Sequence, residues 1–99
     1  MTRLVLAPRA TQDIERLSDF LLASDPVSAS KTVAVLIGGL QILKFHPLVG
    51  RIVERGYREL MISRGRSGYV ALYNYDVVKD TALILAIRHQ REDESSKSG

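Results

Sequence analysis

GYRELMI (56–62), SGYVALYNYD (67–76) and ALILAIRHQRE (82–92) decide how this 99-residue chain folds. Tyr57–Ile62 alternates, with Arg58, Leu60 and Ile62 on one face and Tyr57, Glu59 and Met61 on the other. That period of two predicts a half-covered strand. Arg64-Gly65-Arg66-Ser67-Gly68 supplies a turn with two glycines able to take positive φ. Tyr69–Asp76 alternates again, placing Tyr69, Ala71, Tyr73 and Tyr75 opposite Val70 and Leu72. After a turn over Val77–Asp80, Thr81–His89 has an apolar run, Ala82–Ile87, with no polar face. Such a run predicts a strand covered on both sides. Helices would cover one side, and something beyond the monomer, or its tail, would cover the other.

Upstream, Thr2–Leu6 reads as a short strand with Leu4 and Leu6 on one side. Pro8 fits the first position of a helix, where its missing N–H costs nothing, behind the poor cap Ala7. In that helix Ala10, Ile14, Leu17 and Leu21 make the apolar stripe, while Asp13, Glu15, Arg16 and Asp19 are expected to face water. Asp25-Pro26 caps and opens a second helix, predicted over Pro26–Phe45 and stopped by His46-Pro47. Its stripe is Ala29, Val33, Leu36, Leu40 and Leu43, widened by Val35 and Ile42. Gly38-Gly39 interrupts it at about 1 kcal/mol per glycine, which close approach of the first helix or a kink would explain. Residues 47–56 read as a connector.

The predicted architecture is α+β, in the order β-α-α-β-β-β, with a helical hairpin packed on one face of a small, largely antiparallel sheet. One domain over 1–92 is expected, and 93–99, DESSKSG, reads as a disordered tail. The chain has no cysteine and only two histidines, so disulfides and thiolate metal sites are excluded and neither a metal nor a cofactor is expected. The start, MTRLVLAPRA, reads as neither a signal peptide nor a membrane span, and the cytoplasm is the expected location. The net charge of +3 is concentrated: residues 44–66 carry +4 and residues 1–43 sum to zero. That patch suits an anionic partner, nucleic acid or acidic protein, or is simply a solvated basic face.

PLVGR (47–51), GYREL (56–60), SGYVALYNYD (67–76) and ILAIRHQRE (84–92), in this order and spacing, resemble the RelE/ParE toxin superfamily of bacterial type II toxin–antitoxin modules, and the ILAIRHQRE ending resembles the ParE branch most. The resemblance runs from Leu4 to Glu92. It implies a toxin that poisons DNA gyrase and blocks replication, an inhibitor of an enzyme with no catalytic residues of its own. A cognate ParD-like antitoxin would neutralise it, in a homo-oligomer or a heterotetramer with that antitoxin, without a membrane. RelE-like relatives instead cut mRNA on the ribosome, and a decayed toxin that only binds antitoxin is a third possibility.

Arg58, Arg64, Arg66, Arg88, His89 and Arg91 are the candidate target-binding residues. Solvated turn charges for Arg64 and Arg66, and a surface ion pair for Arg58 with Glu59, are the plainer readings. For the ribonuclease alternative, His89 would be acid or base, with Arg58 and Arg91 on the phosphate. The plainer reading of His89 closes the last strand by hydrogen bonding to a neighbouring turn. No aromatic residue follows it, whereas the resembled nucleases carry a tyrosine or histidine in the tail and paired lysines that this chain lacks. Val35, Ile42, Tyr69, Tyr73 and Tyr75 are the candidate antitoxin-binding residues. The tyrosines also read as packed residues with hydroxyls reaching water.

Overall fold

The computed structural model describes residues 1–23, 25–64 and 67–91. Five strands and two helices follow in the order β1 (Arg3–Leu6), α1 (Pro8–Leu22), α2 (Pro26–Leu40), β2 (Arg51–Ile52), β3 (Arg58–Arg64), β4 (Ser67–Asp76) and β5 (Thr81–His89). The sheet order is β1-β5-β4-β3-β2; β1 runs parallel to β5, and the other pairs are antiparallel. The α+β expectation holds, with one strand more than the sequence indicated. β2 is two residues inside the predicted connector, pairing Arg51 with Glu59 and Ile52 with Arg58, too short to leave a periodic trace. The turn predicted over 64–68 is tighter, because β3 continues through Arg64 and β4 begins at Ser67.

Both helices lie on the face that carries Ile62, Tyr69, Ala71, Tyr73, Ala82, Ile84 and Ile87, which with Ala10, Leu17, Leu36, Leu40 and Leu43 form the core, and the partly buried Leu60 packs against it. As predicted, Ala7 gives α1 no side-chain cap, and Asp25 Oδ1 caps α2 by accepting from the Ser28 N–H at 3.2 Å. The α-helix stops at Leu40, five residues short of the predicted end, and Gln41–Lys44 continues as a tighter 3₁₀ turn. The stretch Pro26–Lys44 is long and apolar enough by composition to cross a membrane. Here its Leu36, Leu40 and Leu43 side chains are buried in the core.

Gly39 answers to the sheet and not to α1. A Cβ there would stand 2.8 Å from Ile62 Cγ2, whereas one at Gly38 would meet nothing.

Asp13 departs most from expectation. It is buried, and its Oδ2 accepts the backbone N–H of Ile87 at 2.9 Å. The cause is a gap in the sheet. β1 pairs with β5 only as far as Leu6–Ile84, with Ala7 N–H donating to Ile84 O just beyond. The Ile87 N–H therefore has no strand to bond, and an unpaired buried donor is costly. Asp13, three residues after Ala10 and four before Leu17, lies on the sheet-facing side of α1 and supplies the acceptor.

The unbroken apolar run of β5 also has a cause other than two equal coverings. Leu72 pairs with Ala86 and Tyr73 with Ile84, so Leu85 is an extra residue that shifts the alternation. Ala82, Ile84 and Ile87 are all enclosed beneath the helices, while Leu83, Leu85 and Ala86 are half-buried. On the far face Met61 is exposed, Leu72 and Leu83 are half-buried and Val70 is buried.

Candidate functional site

The cationic residues sort to two ends and two faces of the sheet. Arg58 begins β3 on the helix-facing side, opposite Tyr73. Its Nη1 donates to the carbonyls of Leu48 and Gly50, both at 2.9 Å. Beneath the same loop the Tyr73 hydroxyl donates to Pro47 O at 2.8 Å and accepts from the Gly50 N–H at 2.9 Å. Burial pushes the Tyr73 phenol above its ordinary pKa, offset in part by the Gly50 hydrogen bond and then by the charge of Arg58. Tyr73 is fully buried and Gly50 packs on its ring, where a Cβ would come within 2.6 Å of Cε1 and Oη. Two side chains thus fasten the 47–50 loop to the sheet. The expected ion pair of Arg58 with Glu59 does not form, because adjacent strand residues point to opposite faces.

On the open face Glu59 lies between two other arginines, with Arg51 Nη2 at 2.9 Å and Arg88 Nη2 at 3.6 Å. Arg88 is paired with Val70 and sits near the far end of β5. His89, the next residue, turns to the helix-facing side and sets its ring edge-on to Tyr69, with centroids 5.1 Å apart and planes at 87°. Its Nδ1 accepts the Arg91 N–H at 3.0 Å. An accepting Nδ1 carries no proton, so in the neutral ring the hydrogen is on Nε2, which is left as a donor. His89 therefore closes its strand on the turn that follows it, as its plainer reading had it. Arg88 and His89 thus stand on opposite faces of this end of the sheet, and Arg91 meets His89 through its backbone N–H.

The structure does not bring Arg58 to that end. Four steps along β3 and two strand spacings separate it from His89, about 17 Å between Cα atoms. The backbone of Arg64 closes β3 at the His89 end; its side chain, and all of Arg66, lie outside the described residues, as does the tail 93–99. No group of three or more His, Cys, Asp or Glu residues that could hold a metal ion occurs among the described residues.

The candidate partner-binding residues divide in a similar way. Ile42 is exposed and Val35 half-buried against the core. Tyr69 and Tyr73 are core residues, and the Tyr73 hydroxyl is spent on backbone groups and not on water. Tyr75 is half-buried, and its hydroxyl donates to Asp80 Oδ1 at 2.7 Å. What the sequence reading passed over is the exposed apolar run Phe45, Leu48, Val49 and Ile52 on the connector. Its signal was available: four large apolar residues within eight positions that belong to no helical stripe.

Comparison with known proteins agrees with this geometry. The family model described as the ParE toxin of the type II toxin–antitoxin system, parDE, matches residues 4–94. The toxin RelE3 of Caulobacter vibrioides is 34% identical over 92 residues, spanning 93% of this chain and 98% of that protein. The chromosomal ParDE toxin–antitoxin system of P. aeruginosa superposes with a TM-score of 0.75 at 22% identity, over 90% of this chain and 96% of that one. The RelBE2 toxin–antitoxin complex of Mycobacterium tuberculosis gives 0.59 at 25% identity, over 90% and 98%.

Proposed function

Because the chain belongs to the ParE toxin family of type II toxin–antitoxin systems, we propose that it acts in the cytoplasm by binding and poisoning DNA gyrase and is held inactive by a cognate ParD-like antitoxin. The observation that carries the binding reading is the separation of the cations. Cutting RNA through its 2′-hydroxyl needs a proton donor or acceptor and cations gathered about one phosphate. Here Arg58 stands about 17 Å from His89 and is committed to two backbone carbonyls. Arg88, His89 and Arg91 remain at the other end of the sheet, Arg88 and His89 on opposite faces of it, suited to touching a macromolecular surface. The antitoxin partner is supported by the neighbouring structures, which are toxin–antitoxin complexes. The test is a supercoiling assay with free, folded toxin: stalled supercoiling and accumulated cleaved DNA are expected, and full supercoiling with intact DNA at saturating toxin refutes the reading.

A ribosome-dependent ribonuclease is the second reading, favoured by the Nε2 donor of His89 and by the name of the Caulobacter relative, toxin RelE3. It requires mRNA cutting in a translation extract that His89→Ala or Arg91→Ala abolishes, and no cutting by the unaltered protein removes it. Antitoxin binding without growth arrest on expression would instead mark a toxin that has lost its target.

A further inference from the structure

We propose that the fastened connector after α2, Phe45 to Arg55, is the docking surface for an acidic segment of the antitoxin with apolar anchors; this rests on the toxin–antitoxin reading above. Phe45, Leu48, Val49 and Ile52 are 65%, 56%, 51% and 63% exposed within eight residues. Single exposed apolar side chains are ordinary, but a run of them marks a contact surface. The backbone that carries the run is held from below. The Tyr73 hydroxyl joins Pro47 O to the Gly50 N–H, and Arg58 binds Leu48 O and Gly50 O. One buried and one half-buried polar side chain thus fix a loop that carries these exposed side chains. A surface already ordered loses little conformational freedom when a partner arrives.

Charge selects the occupant. Lys44, Arg51 and Arg55 against Glu54 give residues 44–55 a net +2, with Arg51 already paired to Glu59 at 2.9 Å. Arg55 is exposed and held at φ 62°, followed by Gly56 at φ 80°. An arginine takes the left-handed region only where its surroundings impose it. A second copy of this chain would set the same cations against each other across a two-fold axis, which like charges oppose. A segment bearing carboxylates between apolar anchors meets both features of the patch.

The experiment titrates the purified antitoxin encoded beside this gene into the full chain by calorimetry. Variants are the double change Leu48→Ser/Val49→Ser, Arg55→Asn and Arg55→Lys, with Phe20→Ser as comparator. Phe20 is 80% exposed near the tip of the helical hairpin, where α2 begins, roughly 22 Å along that helix from the connector. The double change should weaken binding at least about tenfold. Arg55→Asn should weaken it about fivefold and flatten the salt dependence, while the melting temperature holds, since asparagine tolerates positive φ. Arg55→Lys should restore the salt dependence. Equal affinity for all variants, or a loss no greater than that of Phe20→Ser, overturns the docking surface. So does a change confined to self-association in sedimentation, which would make a second copy the occupant. Failure of the unaltered chain to bind antitoxin at all would overturn the toxin–antitoxin reading itself.

Discussion

Arg58 and Arg88 stand on one small sheet and are used in opposite ways. Arg58 donates to two carbonyls of a loop that the Tyr73 hydroxyl also holds, so its guanidinium is part of the scaffold. Arg88 pairs with Glu59 at 3.6 Å, a contact that Arg51 shares at a shorter distance, and its side chain is one-third exposed. The first end of the sheet is fastened and the second is presented. A cation with two backbone acceptors cannot move to a phosphate without breaking them, whereas Arg88 meets Glu59 at the longer 3.6 Å, on a carboxylate that Arg51 holds at 2.9 Å. Residue type alone therefore does not mark a functional arginine; the partners of its N–H groups do.

The fastened end should show the largest effects. Gly50→Ala places a Cβ 2.6 Å from the Tyr73 ring and hydroxyl and 2.9 Å from the Glu59 carbonyl, neither of which is free to retreat. Overpacking together with loss of the hydroxyl bridge should cost about 4 kcal/mol in urea denaturation. Tyr73→Phe removes only the hydroxyl and should cost about 2 kcal/mol. Equal, small losses for both would mean that the loop is not held as described.

Asp13→Ala comes next. It leaves the Ile87 N–H unpaired in a buried place and should cost about 2–3 kcal/mol, with Asp13→Asn, which still accepts, losing about half as much. Because Ile87 directly precedes Arg88 and His89, faster amide exchange should spread from Ile87 through the end of β5. Exchange unchanged there would detach α1 from the placement of that end.

The two arginines give the sharpest contrast. Arg58→Met should lose about 2 kcal/mol of stability, and the connector should become open to proteolysis. Arg88→Met should change stability by about 1 kcal/mol or less, since its pair with Glu59 is long and Arg51 still neutralises that carboxylate, yet reduce toxicity on expression at least about tenfold if this end meets the target. The reverse pattern, a stable Arg58 variant that is inactive and an Arg88 variant that unfolds, would invert the assignment of the two ends.

Much of this was legible because it depends on period. The alternation set Leu60 with Ile62 in 57–62 and Tyr69 with Ala71 and Tyr73 in 69–75, and of the α2 stripe Ala29, Val33, Leu36, Leu40 and Leu43 all but the half-buried Val33 are buried. What period cannot show is a partner distant in sequence. Asp13 looks solvated until β1 is seen to stop short of Ile87, 74 residues away. Gly39 answers to Ile62 on a strand, and Tyr73 sends its hydroxyl 26 residues back to Pro47. The two-residue β2 and the extra residue Leu85 both defeat a count of alternations. At the candidate site, Arg88, His89 and Arg91 were found together because they are adjacent in sequence, while the distance and employment of Arg58 required the register.

The smallest effect belongs to a third polar junction, at the turn beyond the Arg58 end of the sheet. Asp80 Oδ1 accepts from the Thr2 hydroxyl and from the Tyr75 hydroxyl, both at 2.7 Å. These bonds, that of Thr2 first, hold the Asp80 carboxyl below its ordinary pKa of 3.8. A depressed carboxyl contributes stability that is whole above pH 3.8 and is lost as the pH falls through the lower folded value. The Tyr75 phenol is raised above 10.0, chiefly by the same bond to Asp80, so its share is whole below pH 10 and lost as the pH rises through the higher folded value. Asp80→Asn keeps an acceptor, and asparagine tolerates the positive φ of 46° found there. The variant should therefore melt slightly below the parent at pH 7, fall less steeply between about pH 4 and pH 2, and meet it at the acid end. Asp80 is exposed and Tyr75 half-buried, so the difference should be small but of fixed sign. Parallel acid limbs for the two proteins would show that the carboxyl at this turn carries no charge-dependent share of the stability.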